Sequence, residues 1–361
     1  MISRSTVDLP LHGGKCPSWL FERMVKLSKA ILLIVYQEFG KQELIKRLTD
    51  PFWFQALGCL LGFDWHSSGL TTTVGGAVKE ALKPYFKDLG VYICGGKGKT
   101  ALKTPQEIIK WAEKEGLPHE AFKFVTLSRL TARIDNNAIQ DGFQLYFHLF
   151  IFSKDGVWGV IQQGMDENTC YARRYHWYSK KIIDFCENPH TGIISNIKKQ
   201  EVLNLVDKES VSVQKKMVSL VKERFELVLK ELSPKVHIIF KKDHTLTQRD
   251  LSLSSLRKIW EKIYENPPSD FKDLILTPGL GAKALRALTL ASELIYNVQA
   301  SRRDPVVYSY AHGGKDGHPY KLNKRLYDHT IQELEEILRK IKIEESEKVK
   351  LFKKLPKLFN I

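Results

Sequence analysis

Residues 143–163 read Phe143-Gln144-Leu145-Tyr146-Phe147-His148-Leu149-Phe150-Ile151-Phe152-Ser153-Lys154-Asp155-Gly156-Val157-Trp158-Gly159-Val160-Ile161-Gln162-Gln163. Apolar residues alternate up to Phe152, Ser153-Lys154-Asp155-Gly156 is a turn signal, and a strand pattern resumes at Val157. A β-hairpin follows from this grammar. If a four-residue turn pairs Phe152 with Val157, Tyr146 lies opposite Gln163 and His148 opposite Ile161. Alternation then puts Gln144, Tyr146, His148 and Gln163 on one face, with Phe143, Leu145, Phe147, Leu149 and Ile151 on an apolar face that must be core.

Most of the chain on either side reads as helix. Pro17 stands where a first-turn proline belongs, Leu20, Met24, Leu27, Ile31 and Val35 continue the apolar pattern, and Gly40 closes it. A further helical pattern starts at Lys41, Asp50-Pro51 opens an apolar segment, and another helix follows Thr71. Gly90 to Thr100 reads as a short strand with a glycine-lysine loop, and Thr104-Pro105-Gln106-Glu107 as a helix start capped by Thr104. Helical periodicity resumes from Glu201 to Leu232 and from Leu253 to Tyr264, Asn266-Pro267-Pro268-Ser269 marks a linker, and the tail is a charged helix. The expected fold is α+β, mainly helical, with a small central antiparallel sheet and a C-terminal helix-hairpin-helix region at 270–296. Three units are expected: a helical one over 1–120, a hairpin-containing one over 121–200, and a helical one over 201–361.

Composition narrows the class. The 361 residues are 43% hydrophobic and 11% aromatic, enough to build real cores. The longest apolar run, Ile31 to Tyr36, is far below the roughly 20 residues of a membrane span. The start, Met-Ile-Ser-Arg through Asp8, lacks the apolar centre of a signal peptide. Five scattered cysteines without a CxxC pair argue against a disulfide framework and a zinc ribbon, and fit a reducing cytoplasm. Against 41 acidic residues stand 56 Lys+Arg, a formal charge of +15 that favours polyanionic partners. Solvated lysines used for solubility would give the same balance.

The most specific local pattern is Asp270 to Tyr296. A short helix, then Pro278-Gly279-Leu280-Gly281, then an alanine-leucine helix is the helix-hairpin-helix arrangement. Gly279 and Gly281 let backbone amides approach a phosphate, Leu280 fills the gap between helices, and the second helix presents its positive N-terminus. Lys283 and Arg286 are placed to add charge. Such a unit grips the nucleic-acid backbone without reading bases; a plain glycine turn between packed helices is the competing account. Cys94-Gly95-Gly96-Lys97-Gly98-Lys99-Thr100 fails the spacing of a nucleotide-binding phosphate loop, because Ile93 stands where its first glycine is needed. Lys97 and Lys99 remain candidates for nucleic-acid contact, and a surface turn is the equal alternative.

Four constellations could carry chemistry. His12-Gly13-Gly14-Lys15 and His312-Gly313-Gly314-Lys315 each join a glycine pair that can nest an anion to a lysine charge and a histidine proton donor. Asp64-Trp65-His66 places a carboxylate and an imidazole two residues apart, both candidate ligands of a divalent metal. At the hairpin, Asp141, His148 and Gln163 form another candidate set, with Asp135 upstream. Cys170-Tyr171-Ala172-Arg173-Arg174-Tyr175-His176-Trp177 interleaves aromatics with Arg173 and Arg174 as nucleic-acid surfaces do. The second strand, Ile161-Gln162-Gln163-Gly164, lacks the acidic-x-lysine signature of restriction-type nucleases. Turn formation explains each loop singly, and a satisfied structural histidine explains His148.

Five stretches carry a resemblance: Asp8 to Lys15 with Trp19 to Met24, Asp50 to Gly76, Gln140 to Trp177, Pro278 to Tyr296, and Asp304 to Pro319. They resemble a family found in archaea and some thermophilic bacteria that is described only as a domain of unknown function. The resemblance covers most of the chain and implies no assigned active site. The function expected from the residues is a nucleic-acid-processing enzyme, foremost a DNA nuclease of repair or recombination, with DNA favoured over RNA and no membrane partner. A non-catalytic DNA- or RNA-binding protein and an RNA-processing enzyme are the alternatives. In the enzyme reading the polar loops converge on one cleft.

Overall fold

In the computed structural model the described residues are 16–62, 68–167, 169–195, 197–232 and 253–306, with positions 332, 336, 337, 339 and 340 near the C-terminus. Helices α1 (Ser18–Thr49), α2 (Pro51–Leu60), α3 (Gly69–Leu82) and α4 (Phe86–Leu89) lead into strand β1 (Val91–Lys97). Helices α5 (Lys99–Leu102), α6 (Thr104–Lys114) and α7 (Pro118–Arg133) follow, and a π-helical turn, Ile134–Ala138, extends α7. Strands β2 (Ile139–Gln140), β3 (Gln144–Ser153), β4 (Trp158–Asp166), β5 (Tyr171–Tyr178), β6 (Gly192–Ile194) and β7 (Leu203–Asn204) come next. The described part continues through α8 (Val211–Leu220), α9 (Phe225–Leu232), α10 (Leu253–Glu265), α11 (Phe271–Leu276) and α12 (Ala282–Tyr296). The chain is α+β, as its patterning requires.

Local chemistry sets several boundaries. Asp50 caps α2 by accepting from the Phe52 and Trp53 amides, both at 2.9 Å, with Pro51 in the first turn. Gly40 adopts φ 78°, so α1 is two helices meeting at the glycine that was expected to close the first. Thr104 is not a cap. It lies inside the first turn of α6 and its hydroxyl donates to the Ala101 carbonyl at the end of α5.

The sheet runs β1-β3-β4-β5-β6, antiparallel throughout, with β2 and β7 forming a separate pair. Thus the expected boundary at 120/121 falls between β1 and its partner β3, within one sheet. Helices cover both faces. On one side Phe147 and Leu149 press on Gly75 of α3, and Gly159 lies against Thr49 at the end of α1. On the other, Phe124 of α7 packs on Phe150 and Phe152, while Tyr92 stacks on Phe152 and meets Trp111 of α6. A sheet buried on both faces needs apolar residues on both, which is why β3 reads as Phe-His-Leu-Phe-Ile-Phe rather than as a clean polar-apolar alternation.

The hairpin register differs from the expected one by one residue. Ser153 N donates to Val157 O at 2.9 Å around a turn completed by Gly156 at φ 82°, so Phe152 pairs with Trp158. His148 therefore lies opposite Gln162, not Ile161. The same slip puts Phe147 opposite Gln163, and a bulge between Leu145 and Phe147 then shifts the pairing so that Leu145 faces Gly164. Because side chains alternate with a period of two, the slip sends Gln163 to the α3 side and leaves His148 facing α7. The single polar hairpin face expected from the sequence does not exist.

Candidate nucleic-acid interface

Two of the expected basic elements are connected through the start of β3 and the segment just before it. Gly98 N donates to the Tyr146 carbonyl at 2.7 Å, and Lys97 Nζ stands 5.9 Å above the Tyr146 ring. Lys97 and Lys99 are exposed. Their loop is anchored by Gly95, whose amide donates to Glu107 Oε2 at 2.9 Å and whose carbonyl accepts from Lys79 Nζ at 2.8 Å. One residue along β3, the Leu145 amide donates to Asn136 Oδ1 at 3.0 Å, tying the strand start to the π-helical turn.

Residues on either side of that turn hold the C-terminal helices. Gln140 Nε2 donates to the Ala282 carbonyl at 2.7 Å, and Arg286 Nε donates to Gln140 Oε1 at 2.6 Å. Arg133 Nη1 donates to the carbonyls of Ile275 and Thr277, at 2.7 and 2.8 Å. A chain of contacts therefore links the Lys97–Lys99 loop to the turn between α11 and α12. In that turn Gly279 takes φ 86°, a conformation glycine supplies without strain, and Leu280 is buried between the helices. Gly281 is the N-cap of α12 and offers no side-chain cap of its own. A Cβ at Gly279 or Gly281 would meet no atom within 4 Å, so the outer side of this backbone is open. Lys283 is exposed on the first turn of α12 and Arg286 is half-buried.

Arg173 and Arg174 are not surface arms. Both are fully buried on β5, pointing to opposite faces of the sheet. Arg173 forms a two-hydrogen-bond fork to Asp304 (Nη1 3.0 Å, Nη2 2.8 Å) and reaches Asp141 Oδ2 through Nη1 at 2.8 Å. Burial works against its charge, but Asp141 and Asp304 outweigh burial and hold the guanidinium above its ordinary range. Arg174 lies over the Phe54 ring and donates to Gln55 Oε1 at 2.6 Å. The aromatic interleaving that resembles a nucleic-acid surface is the packing of an interior strand buried on both faces.

The hairpin candidates are equally committed. Asp141 accepts from Arg173, from the Tyr175 hydroxyl at 2.7 Å and from the Phe143 amide at 3.0 Å. Gln163 donates to the Ser68 carbonyl at 2.9 Å and to the Tyr146 hydroxyl on the α3 side. His148 sits between Ser128 Oγ and Gln162 Oε1, each at 2.8 Å. Gln162 continues to Asp135, which also receives Trp177 Nε1 at 2.9 Å and His190. Burial raises the Asp135 carboxyl, opposed by His190. The structure thus divides Asp141, His148 and Gln163 between two faces and joins none of them in an accessible cleft. Asp304 and Tyr175, not singled out as site residues by their sequence, complete the Arg173 cluster; only the buried charge of Arg173 would have asked for them, and its burial was not legible.

Burial pushes His148 down to about 4, against an ordinary value near 6.5. The folded state therefore disfavours the imidazolium and binds fewer protons than the unfolded chain between those values. The neutral-histidine contribution is complete above pH 6.5 and is lost as pH falls from 6.5 to about 4. We expect this site to account for about 3 kcal/mol of acid destabilisation. Urea unfolding of wild type and His148→Gln at pH 7 and pH 4.5 checks it: the variant should lose less stability than wild type over that step, and equal losses would contradict the assignment.

Residues 5–322 match the model of a family described as protein of unknown function (DUF763). The chain belongs to this family. No curated protein and no solved structure matches it. The DUF763 match spans the sheet, the Lys97–Lys99 loop and the α11–α12 turn. The same span includes His12, Lys15, Asp64, His66, His312 and Lys315, which lie outside the described residues. Among the described residues no group of three or more His, Cys, Asp or Glu is placed to hold a metal ion, and no helix is long and apolar enough to cross a membrane.

Proposed function

We propose that this protein binds nucleic acid through its sugar-phosphate backbone, DNA in preference to RNA, with the Lys97–Lys99 loop and the Gly279–Gly281 turn as its two anchors. The observation that carries this reading is their linkage through Tyr146, Asn136 and Gln140. A basic loop and an open helix N-terminus offer a run of phosphates two kinds of anchor: mobile charge and fixed amides. The turn then acts as a helix-hairpin-helix. Strand cleavage is the catalytic extension of this reading. It would fall to the His-Gly-Gly-Lys elements and Asp64–His66, since Asp141, His148 and Gln163 are occupied as structural groups.

The test uses labelled single-stranded, duplex and branched DNA and RNA, with and without divalent metal. Binding should weaken steeply with salt, because each lysine or arginine that neutralises a phosphate releases a counterion. Gly279→Val should lower affinity by about 10-fold for every sequence alike, since amide-phosphate contacts carry no base code. Affinity that is flat in salt, or unchanged in a folded Gly279→Val, would remove the interface. Cleavage abolished by His12→Ala or His312→Ala with affinity intact supports the enzyme; a shift without cleavage supports the pure binder.

A further inference from the structure

Helix α7 turns one face to the sheet, burying Ala121, Phe124, Val125, Ser128, Leu130 and Thr131. With 3.6 residues per turn this sends Phe122, Arg129 and Arg133 to the opposite face. The face is unusual in two independent ways. Phe122 is 78% exposed, a large ring left in water on a well-packed helix. Arg129 and Arg133 have no carboxylate partner among the described residues, and Arg129 is near enough to lower the Arg133 guanidinium, after burial, from its ordinary value. Arg133 also touches the Ile275 and Thr277 carbonyls, Thr277 lying two residues before Gly279. The strip from Phe122 to Arg133 spans about 16 Å at 1.5 Å per residue and ends at the α11–α12 turn.

We infer that the outer face of α7 holds a single-stranded arm of the nucleic acid gripped at that turn, with phosphates at Arg129 and Arg133 and a base stacked on Phe122. This rests on the nucleic-acid reading and names its substrate class: a duplex carrying a single-stranded extension. Two neighbouring guanidiniums without an acid are relieved by an anion, and an exposed ring gains most from a flat π-face. A duplex cannot supply that face, because its bases already stack on each other. A second copy of the chain would bring like charge to like charge, and an apolar peptide would leave both arginines uncompensated.

Equilibrium binding is measured for a blunt duplex and for the same duplex with a short single-stranded extension, using wild type, Phe122→Ala and Phe122→Trp. Wild type should prefer the extended duplex by at least about 10-fold, the usual scale of one base-aromatic stack. Phe122→Ala should lose the preference while keeping its affinity for the blunt duplex, and Phe122→Trp should restore it. The exposure of Phe122 makes both variants safe to fold, which a thermal melt confirms. A preference that survives in Phe122→Ala, no preference in wild type, or equal weakening on both substrates overturns the single-stranded arm and leaves the backbone grip standing. Sedimentation that shows a wild-type dimer dissociated by Phe122→Ala would assign the face to a second copy instead. If wild type binds neither substrate, the nucleic-acid reading fails, and the arm with it.

Discussion

Arg173→Ala is expected to cost about 3–5 kcal/mol and to leave little folded protein at ordinary temperatures, because it strands two carboxylates in the interior. Asp141 and Asp304 are both buried, and the Arg173 guanidinium is in ionic contact with each of them. Residual donors remain, since Tyr175 and the Phe143 amide serve Asp141 and the Lys199 and Val306 amides serve Asp304. They cannot replace a full positive charge. The cluster also ties Asp304, from the segment after α12, to the centre of the sheet. Arg173→Lys should recover only part of the loss, because an ammonium cannot make the forked pair. The triple variant Arg173→Met, Asp141→Asn, Asp304→Asn should be more stable than Arg173→Ala, since it removes the unpaired charges together. Urea titrations of the three variants decide the point, and a small effect of Arg173→Ala would mean that the triad is not the junction described.

Gly95→Ala should be nearly as damaging, and for a backbone reason. Gly95 has φ 93°, and a Cβ there would lie 2.1 Å from the His148 carbonyl oxygen and 2.6 Å from Thr104 Oγ1. The first neighbour is backbone of the central strand and cannot give way without breaking the β1–β3 ladder. We expect a loss above about 3 kcal/mol, from strain and lost strand pairing together. Gly98→Ala is the control. Gly98 has φ 57° but nothing within 4 Å of its Cβ, so only about 1 kcal/mol of strain is expected. Hydrogen exchange of the β1 amides should accelerate in Gly95→Ala and not in Gly98→Ala. Because β1 delivers Lys97 and Lys99, the first variant should also lose nucleic-acid affinity beyond its loss of fold.

Much of the architecture could be read from residue order. Pro17, Gly40 and Asp50-Pro51 mark helix ends through constraints that act within a few residues, and the structure places ends there. The hairpin was legible because its turn residues and apolar strands agree. Its register was not: the turn closed by Gly156 decides it, and a one-residue error there reverses every side chain of the paired strand. The same limit explains the arginines. Arg173 and Arg174 look alike in a sequence, where an arginine among aromatics fits a nucleic-acid surface as well as a core strand, and only the burial of both faces of β5 separates the cases.

By itself, then, the sequence determined the α+β class, the basic balance, the central hairpin, and the glycines of the α11–α12 turn, because propensity, turn chemistry and charge are local or additive properties. Tertiary structure alone decided which polar residues are partners and which are surface. Asp141 finds Tyr175 and Arg173 across the interior, Arg173 finds Asp304 from 131 positions away, and the Lys97–Lys99 loop reaches the Gly279 turn only through β3 and the π-helical turn. Burial converts a charge from a contact offered to a ligand into one spent on the fold, and burial is a property of the packed layers, which no spacing of residues along the chain encodes.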